Sequence, residues 1–234
     1  MGKRLSETRR HAAFLAGLLL AVAMSRPVAA LPPVQPPPQA RLWGRVELAD
    51  RWGRTDVKWR AMAERHAAQR AELATGRLPR GVSAAAAGRW RRTLAAHERI
   101  RTTDAALLAG IDAAVDRLPY RSDREGHGQG DLWLTPLEFL EAGGDCEDYA
   151  ITKYFLLREL GVPAEALRLV VVRDRARGLE HAVLLARPGQ GQGDWQMLDN
   201  LRRGPVAAAA TAAYQPLYAI GETGGFFYLP GDRS

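Results

Sequence analysis

One helix pattern followed by three strand patterns, with short connections, is the feature that most restricts how this 234-residue chain can fold. Residues 146–160 have the apolar content and length of a helix, Gly161 suits its end, and Pro163 prevents its continuation. Three runs with the composition of strands follow, at residues 167–172, 181–186 and 195–198. Strands joined by short turns pair antiparallel, so the sequence predicts an α+β fold with a central helix on an antiparallel sheet.

The first thirty residues have the organisation of a cleavable export signal. Residues 3–10 contain four basic side chains, residues 12–24 form a 13-residue run without charge, and small residues follow at positions 28–30. A membrane-spanning helix needs about 20 apolar residues, so this run is short for one, although an uncleaved anchor stays open as an alternative. We therefore expect residues 1–30 to be a signal peptide and the mature protein to be exported, without stable membrane insertion.

The distribution of charge argues against a nucleic-acid partner. Residues 1–30 carry +4 of the formal net charge of +7, which leaves +3 for residues 31–234. Such a small excess over so long a segment does not predict the basic patch that nucleic acid requires. The single cysteine also excludes an internal disulfide framework and a cysteine-rich zinc site.

Composition divides the rest of the chain into three segments. Residues 31–40 contain five prolines and predict a stiff, extended spacer. Residues 41–118 are rich in alanine and arginine, and their pattern predicts a helical part. Residues 119–234 hold the helix and strands described above, and we expect the catalytic core there, although the tail from residue 204 has no clear pattern. Residues 41–234 are expected to form a single domain.

Three side chains in this core have the types that acyl-transfer enzymes use. Cys146 lies in the first turn of its helix, where free N–H groups and the helix dipole favour a thiolate. His181 opens one strand and Asp199 closes the next, so adjacent antiparallel strands can bring the imidazole and the carboxylate together. The pattern fits a nucleophile, a base and a residue that orients the base. An inert buried thiol, a structural histidine and a turn-capping aspartate are the alternatives that spacing leaves open.

Acidic residues surround the cysteine, which is unusual for a thiol that has to lose a proton. Asp145, Glu147 and Asp148 would all raise the pKa of Cys146. They either cap the helix N-terminus or bind a hard cation such as Ca²⁺, which takes carboxylate and carbonyl oxygens as ligands. The residues alone favour capping slightly.

Four short motifs resemble those of the bacterial transglutaminase-like cysteine proteinases of the LapG type. They are YRSD at 120–123, GGDCEDYA at 143–150, EHAVLL at 180–185 and WQMLDN at 195–200. The resemblance implies a papain-like or transglutaminase-like fold, with Cys146 as nucleophile, His181 as general base and Asp199 as its orienting partner. It also implies Ca²⁺ as cofactor.

The same resemblance assigns the acidic residues and one tryptophan. Asp145 and Glu147 become expected Ca²⁺ ligands, with Asp148 as a further candidate. Trp133 corresponds to a tryptophan near the site in that family. The expected metal ligands are therefore Asp145, Glu147 and Asp148.

The family's function gives concrete expectations for this chain. Its members are periplasmic, Ca²⁺-dependent proteases that cleave the N-terminal region of a large surface adhesin and thereby control biofilm attachment. An inner-membrane receptor for cyclic di-GMP sequesters them. Two alternatives use the same residues or fold: another thioester-forming acyl transferase, such as a transglutaminase or an amidase, and a non-catalytic binding module. The three intact side chains argue against the binding module.

Overall fold

The computed structural model describes residues 41–42, 45–50, 54–100, 105–123, 131–189, 193–222 and 224–229. The predicted signal peptide at residues 1–30 and the predicted spacer at residues 31–40 lie outside the described residues, so both stay predictions. None of the helices in the described part is long and apolar enough to cross a membrane.

Five α-helices precede or flank a single antiparallel sheet in the described chain. The helices are α1 (Arg54–Ala74), α2 (Ala84–His97), α3 (Ala105–Val115), α4 (Pro136–Ala142) and α5 (Cys146–Glu159). The strands are β1 (Arg41–Leu42), β2 (Arg45–Asp50), β3 (Leu167–Asp174), β4 (Leu179–Ala186), β5 (Gln196–Leu198), β6 (Val206–Ala207), β7 (Tyr214–Gly221) and β8 (Gly224–Leu229). They pair in the order β1-β2-β8-β7-β3-β4-β5-β6.

Helix α5 is the central helix that the sequence predicts. It contacts the strands β3 and β4 and the helices α3 and α4. Residues 148–157 are all buried, which is why this helix is not amphipathic: it is covered on every side. It ends at a left-handed Gly161, with φ of 87°, as expected for a glycine that closes a helix. The predicted α+β arrangement is confirmed.

A buried ion pair joins α5 to α3. The Lys153 ammonium lies 2.7 Å from Oδ1 of Asp112 and 2.7 Å from Oδ1 of Asp116. Lys153 and Asp112 are fully buried, so removing either charge would leave the other without its partner in a dry environment. The pair therefore fixes the helix that begins at Cys146 against the helices that precede it.

The prediction that residues 41–118 are a helical part is wrong for its first residues. Residues 41–42 and 45–50 are strands, and helix begins only at Arg54. The reason lies at the other end of the chain, because β2 pairs along its length with β8, from Val46 opposite Leu229 to Asp50 opposite Gly225. The unassigned tail supplies this partner: residues 206–229 contribute β6, β7 and β8 to the sheet.

Candidate active site

Cys146 is the first residue of α5, and a tightly packed glycine pair leads into it. Gly143 has φ of 82°, and a Cβ there would collide with the carbonyl oxygen of Pro119. A Cβ at Gly144 would collide with the carboxylate of Asp148. The segment is held by a 2.8 Å hydrogen bond from the Arg121 N–H to the Gly144 carbonyl. Because only glycine fits at positions 143 and 144, this pair determines that α5 begins at Cys146.

His181, the third residue of β4, and Asp199, the residue after β5, form a direct hydrogen bond. β4 pairs with β5 antiparallel, with Leu184 opposite Leu198, so the chain comes near His181 as it leaves β5. The Nε2 atom of His181 lies 2.8 Å from Oδ1 of Asp199. Both side chains are buried. Nδ1 is then the ring nitrogen left to serve a nucleophile.

Asp199 is held by more than the histidine. The Tyr214 hydroxyl donates to Oδ2 at 2.8 Å, the Leu201 N–H donates to Oδ1 at 3.0 Å, and the Arg202 guanidinium lies 3.3 Å from Oδ2. Burial alone would raise the pKa of Asp199, but the bond and charge of His181, with the Leu201 and Tyr214 donors, hold it below its ordinary value. The carboxylate is therefore ionised and fixed in orientation.

The thiol of Cys146 and the ring of His181 line one cleft of about 280 Å³, together with Trp133 and Tyr218. The backbone N–H of Ala182, the residue after His181, is close enough to the thiol to favour its ionised form. The thiol in turn donates to Oε2 of Glu147 at 3.3 Å. Burial first, and then the charge of Glu147, raises the pKa of the Cys146 thiol, while the Ala182 N–H opposes that rise. The nucleophile candidate thus lies against the strand that carries the base.

Asp123, Asp145 and Asp148 bring carboxylate oxygens to within 4.8 Å of one another beside the cysteine. Burial, followed by neighbouring carboxylates, raises the pKa of both Asp145 and Asp148 to about 8. Within the described residues, Oδ1 of Asp145 is buried without a hydrogen-bond partner. A buried oxygen without a donor, facing two further carboxylates, is the environment that a hard cation would satisfy. The residues present therefore fit Ca²⁺.

Capping accounts for only part of this acidic cluster. Asp145 is the N-cap residue of α5, and Oδ2 of Asp148 accepts its backbone N–H at 3.2 Å. Oδ1 of Asp148 accepts the Leu134 N–H at 2.8 Å, which ties the segment before α4 to the start of α5. Neither bond uses Oδ1 of Asp145. Capping and cation binding are compatible, because different oxygens serve the two roles.

The structure divides the three predicted metal ligands between two places. Asp145 and Asp148 lie with Asp123, whereas Glu147 lies with Asp145 and the thiol of Cys146. The predicted ligand set stays a prediction, and the geometry adds Asp123 to it. The signal was present in the sequence, since Asp123 ends the YRSD motif, but no spacing rule connects it to residues 145–148.

Sequence reasoning also missed the residues that hold Asp199. Tyr214 lies at the start of β7, within the tail that has no clear pattern, and Arg202 follows the turn after Asp199. The Arg202 guanidinium also lies over the Tyr214 ring, 5.3 Å from its centroid. Only the pairing of β7 with β3 brings Tyr214 to the site.

Comparisons with known proteins agree with this geometry. Residues 87–219 match the sequence profile of the family described as bacterial transglutaminase-like cysteine proteinase, which covers all three of Cys146, His181 and Asp199. No protein with a curated description matches the chain in a sequence search.

Solved structures of LapG from Legionella pneumophila are similar to this chain. The calcium-bound form is 26% identical with a TM-score of 0.54, and the match covers 62% of this chain and 81% of that one. A second form is 26% identical with a TM-score of 0.53 and covers 64% and 83%. The EGTA-treated form is 25% identical with a TM-score of 0.53 and covers 62% and 78%.

Proposed function

This chain belongs to the bacterial transglutaminase-like cysteine proteinases, and from that premise we propose that it is an exported, Ca²⁺-dependent cysteine endopeptidase acting on a large surface adhesin. The proposal rests chiefly on one observation, that Cys146 and His181 line the same cleft. The Nε2 atom of His181 is hydrogen-bonded to Asp199 at 2.8 Å. A nucleophile, a base and an oriented carboxylate in one cleft are the parts that peptide hydrolysis through a thioester requires.

The chemistry assigns one role to each side chain. His181 takes the thiol proton of Cys146 on Nδ1 while Nε2 stays hydrogen-bonded to Asp199. The thiolate attacks the peptide carbonyl, and the imidazolium gives its proton to the leaving amine, which produces a thioester. Water then attacks the thioester while His181 takes its proton, the C–S bond breaks to release the acid product, and His181 returns the proton to the thiolate of Cys146. Asp199 stays ionised throughout and stabilises the charged ring.

The acidic cluster explains why the proposal includes Ca²⁺. Asp123, Asp145 and Asp148 would hold the ion, which supplies positive charge that offsets the carboxylates raising the pKa of Cys146. With the charge of these neighbours offset, the Cys146 thiol would lose its proton to His181 more easily. The calcium-bound and EGTA-treated forms of the Legionella LapG structures support this part by similarity.

The cellular role follows the family resemblance and the predicted export signal. We propose that the mature protein acts in the periplasm, where it cleaves the N-terminal region of the adhesin and loosens biofilm attachment. An inner-membrane receptor for cyclic di-GMP is the proposed partner that sequesters it. The basic start and apolar run of residues 1–30 support the periplasmic address.

The test is digestion of N-terminal fragments of the host's large secreted adhesins by the mature protein. We expect a discrete cut with wild-type protein in Ca²⁺, and none with Cys146→Ser or with wild-type protein in EGTA. A parallel reaction contains a labelled amine and a glutamine-containing acceptor. Label transfer without cleavage would assign the chain to transamidation instead, and cleavage by Cys146→Ser would overturn the nucleophile assignment.

A further inference from the structure

A second cleft, of about 490 Å³, is lined in part by Ala142 and Gly143, in the segment that leads into the cysteine. Four arginines line it: Arg89 and Arg92 from α2, Arg117 after α3, and Arg121 from the segment that follows. Glu141, at the end of α4, is the one acidic residue in its lining. The proposed reaction uses none of these side chains.

The positive charge of this arginine cleft is largely uncompensated. In the described part of the chain, neither Arg92, Arg117 nor Arg121 forms an ion pair. Glu141 is occupied by the Ser83 N–H, which donates to it at 2.9 Å. Four guanidinium groups facing one shared space repel one another unless an anion lies between them.

The cleft is nevertheless shaped around these side chains. Arg89 is anchored by a 2.7 Å hydrogen bond to the Leu140 carbonyl. Arg92 lies over Gly88, where an added Cβ would be 2.9 Å from its Nη1 atom. The Arg121 backbone is tied to Gly144 at 2.8 Å. Arg89 is thus anchored through its guanidinium and Arg121 through its backbone, and guanidinium groups recognise carboxylates through paired hydrogen bonds.

The position of the cleft identifies its occupant. Gly143 forms part of its wall, and Cys146 is three residues further along the chain. Three residues span at most about 11 Å, so Gly143 lies within that distance of Cys146, and three or four extended residues of a polypeptide bound at the thiol are long enough to reach the cleft. A concave cleft also suits a protruding side chain better than the flat surface of a membrane.

We propose that the arginine cleft is a specificity site that binds an acidic side chain of the protein substrate, three to six residues from the scissile bond. This rests on the proposed proteolysis. The site selects among polypeptides by their charge, while Cys146, His181 and Asp199 carry out the cleavage wherever the chain is held.

The test uses a peptide library of bacterial proteome origin, digested in Ca²⁺, with cleavage products identified by mass spectrometry. Wild-type protein should show Asp and Glu enriched at three to six positions from the cut, on one side. The double variant Arg92→Gln/Arg117→Gln should lose that enrichment. Arg91→Gln/Arg99→Gln removes two exposed arginines outside the cleft and should retain it.

Kinetics on the best acidic peptide separate binding from chemistry. The Arg92→Gln/Arg117→Gln variant should have a KM roughly three- to tenfold higher and an unchanged kcat, because exposed ion pairs contribute modestly to binding. Replacing the peptide's acidic residue by its amide should abolish the difference between wild type and variant, and so should 1 M salt, which shortens the screening length to about 3 Å.

Three outcomes decide the proposal separately from the proposed function. Cleavage without acidic enrichment would overturn the specificity site and leave the protease intact. Absence of any cleavage by wild-type protein would instead contradict the proposed function. Co-sedimentation with phosphatidylglycerol vesicles that only Arg92→Gln/Arg117→Gln loses, without acidic enrichment, would assign the cleft to a membrane and overturn the proposal.

Discussion

Asp199 is bonded through both of its oxygens, and its partners differ in what they contribute. His181 and Leu201 engage Oδ1, while Tyr214 and Arg202 engage Oδ2. Asp199→Asn removes the charge that stabilises the imidazolium, so we expect kcat/KM to fall by about 10³-fold or more. Tyr214→Phe removes one neutral donor and leaves the charge, so we expect a fall of only about three- to tenfold. Initial rates on a cleavable peptide measure both.

Melting temperatures provide the control for these two variants. Neither substitution changes the side-chain volume much, so both proteins should remain folded at the assay temperature. Equal losses in Asp199→Asn and Tyr214→Phe would contradict the separate roles of charge and hydrogen bond.

Individual site residues were predictable where local sequence places them. Cys146 follows a glycine pair at a helix start, and His181 and Asp199 stand at a predicted strand start and strand end, so the pattern allowed the three to converge and the family resemblance assigned their roles. Asp123 and Tyr214 were not predictable in this way. Each reaches the site through a contact with a distant segment: Asp123 lies beside Asp145, and Tyr214 bonds Asp199 from β7.

Helices α1, α2 and α5 meet at a buried histidine that has no hydrogen-bond partner among the described residues. The His66 ring of α1 packs 5.5 Å from the Trp90 ring of α2 and 4.3 Å from the Phe155 ring of α5, centroid to centroid. Both ring nitrogens are buried and unpartnered. Burial, and secondarily the charge of Arg70, lowers the pKa of His66 to about 4. This helix junction therefore tolerates only the neutral ring.

Acid should lower the free energy of unfolding, because the pKa of His66 is lower in the folded protein than in the unfolded chain. The unfolded chain takes up its proton near pH 6.5 and the folded chain only near pH 4, so the stability contribution is full above 6.5 and is lost as pH falls through 4. The loss should reach on the order of 3 kcal/mol. The His66→Phe variant should not show this loss of stability, which is measured as the difference in the free energy of urea unfolding between pH 7 and pH 4. Identical pH dependence in wild type and His66→Phe would contradict the assignment.

Element prediction succeeded for local patterns and failed for distant pairing. The patterns at 146–160, 167–172, 181–186 and 195–198 all correspond to observed elements, because caps, turns and branched residues act within a few positions. β2 and β8 escaped prediction, since each is stabilised by the other across most of the chain. A strand of that kind has no local signature that distinguishes it from loop.

Chelation should affect the whole molecule, because the acidic cluster joins two segments that are separate along the chain. Asp123 precedes α4, and Asp145 and Asp148 begin α5. An ion bound only to the folded protein stabilises it by about 2.7 kcal/mol at a hundredfold excess over Kd. For a domain of this size that raises Tm by about 5–10 °C. Thermal unfolding in Ca²⁺ and in EGTA measures the shift, and Mg²⁺ should substitute poorly.

Asp123→Asn distinguishes cation binding from capping. Asp123 lies outside α5, so it contributes nothing to a cap, yet its loss should remove most of the Ca²⁺-dependent shift in Tm. Asp194→Asn, at an exposed carboxylate away from the cluster, is the matched control and should retain the shift. If Asp123→Asn keeps the full Ca²⁺-dependent shift in Tm, the carboxylates of α5 serve only to cap the helix.

The pairing of β2 with β8 also sets the order in which the molecule can be completed. Residues 45–50 have to wait for residues 224–229, so a chain that emerges from its N-terminus carries β2 with only the two-residue strand β1 as a partner until β8 has been made. Contacts of such high sequence separation form slowly, whereas α5, β3 and β4 are close enough along the chain to assemble early. In the interval, β7 has an open edge on the side that β8 will fill, and open edges recruit other chains. Pairing of β8 with both β7 and β2 thus closes the open edges of two strands in a single step.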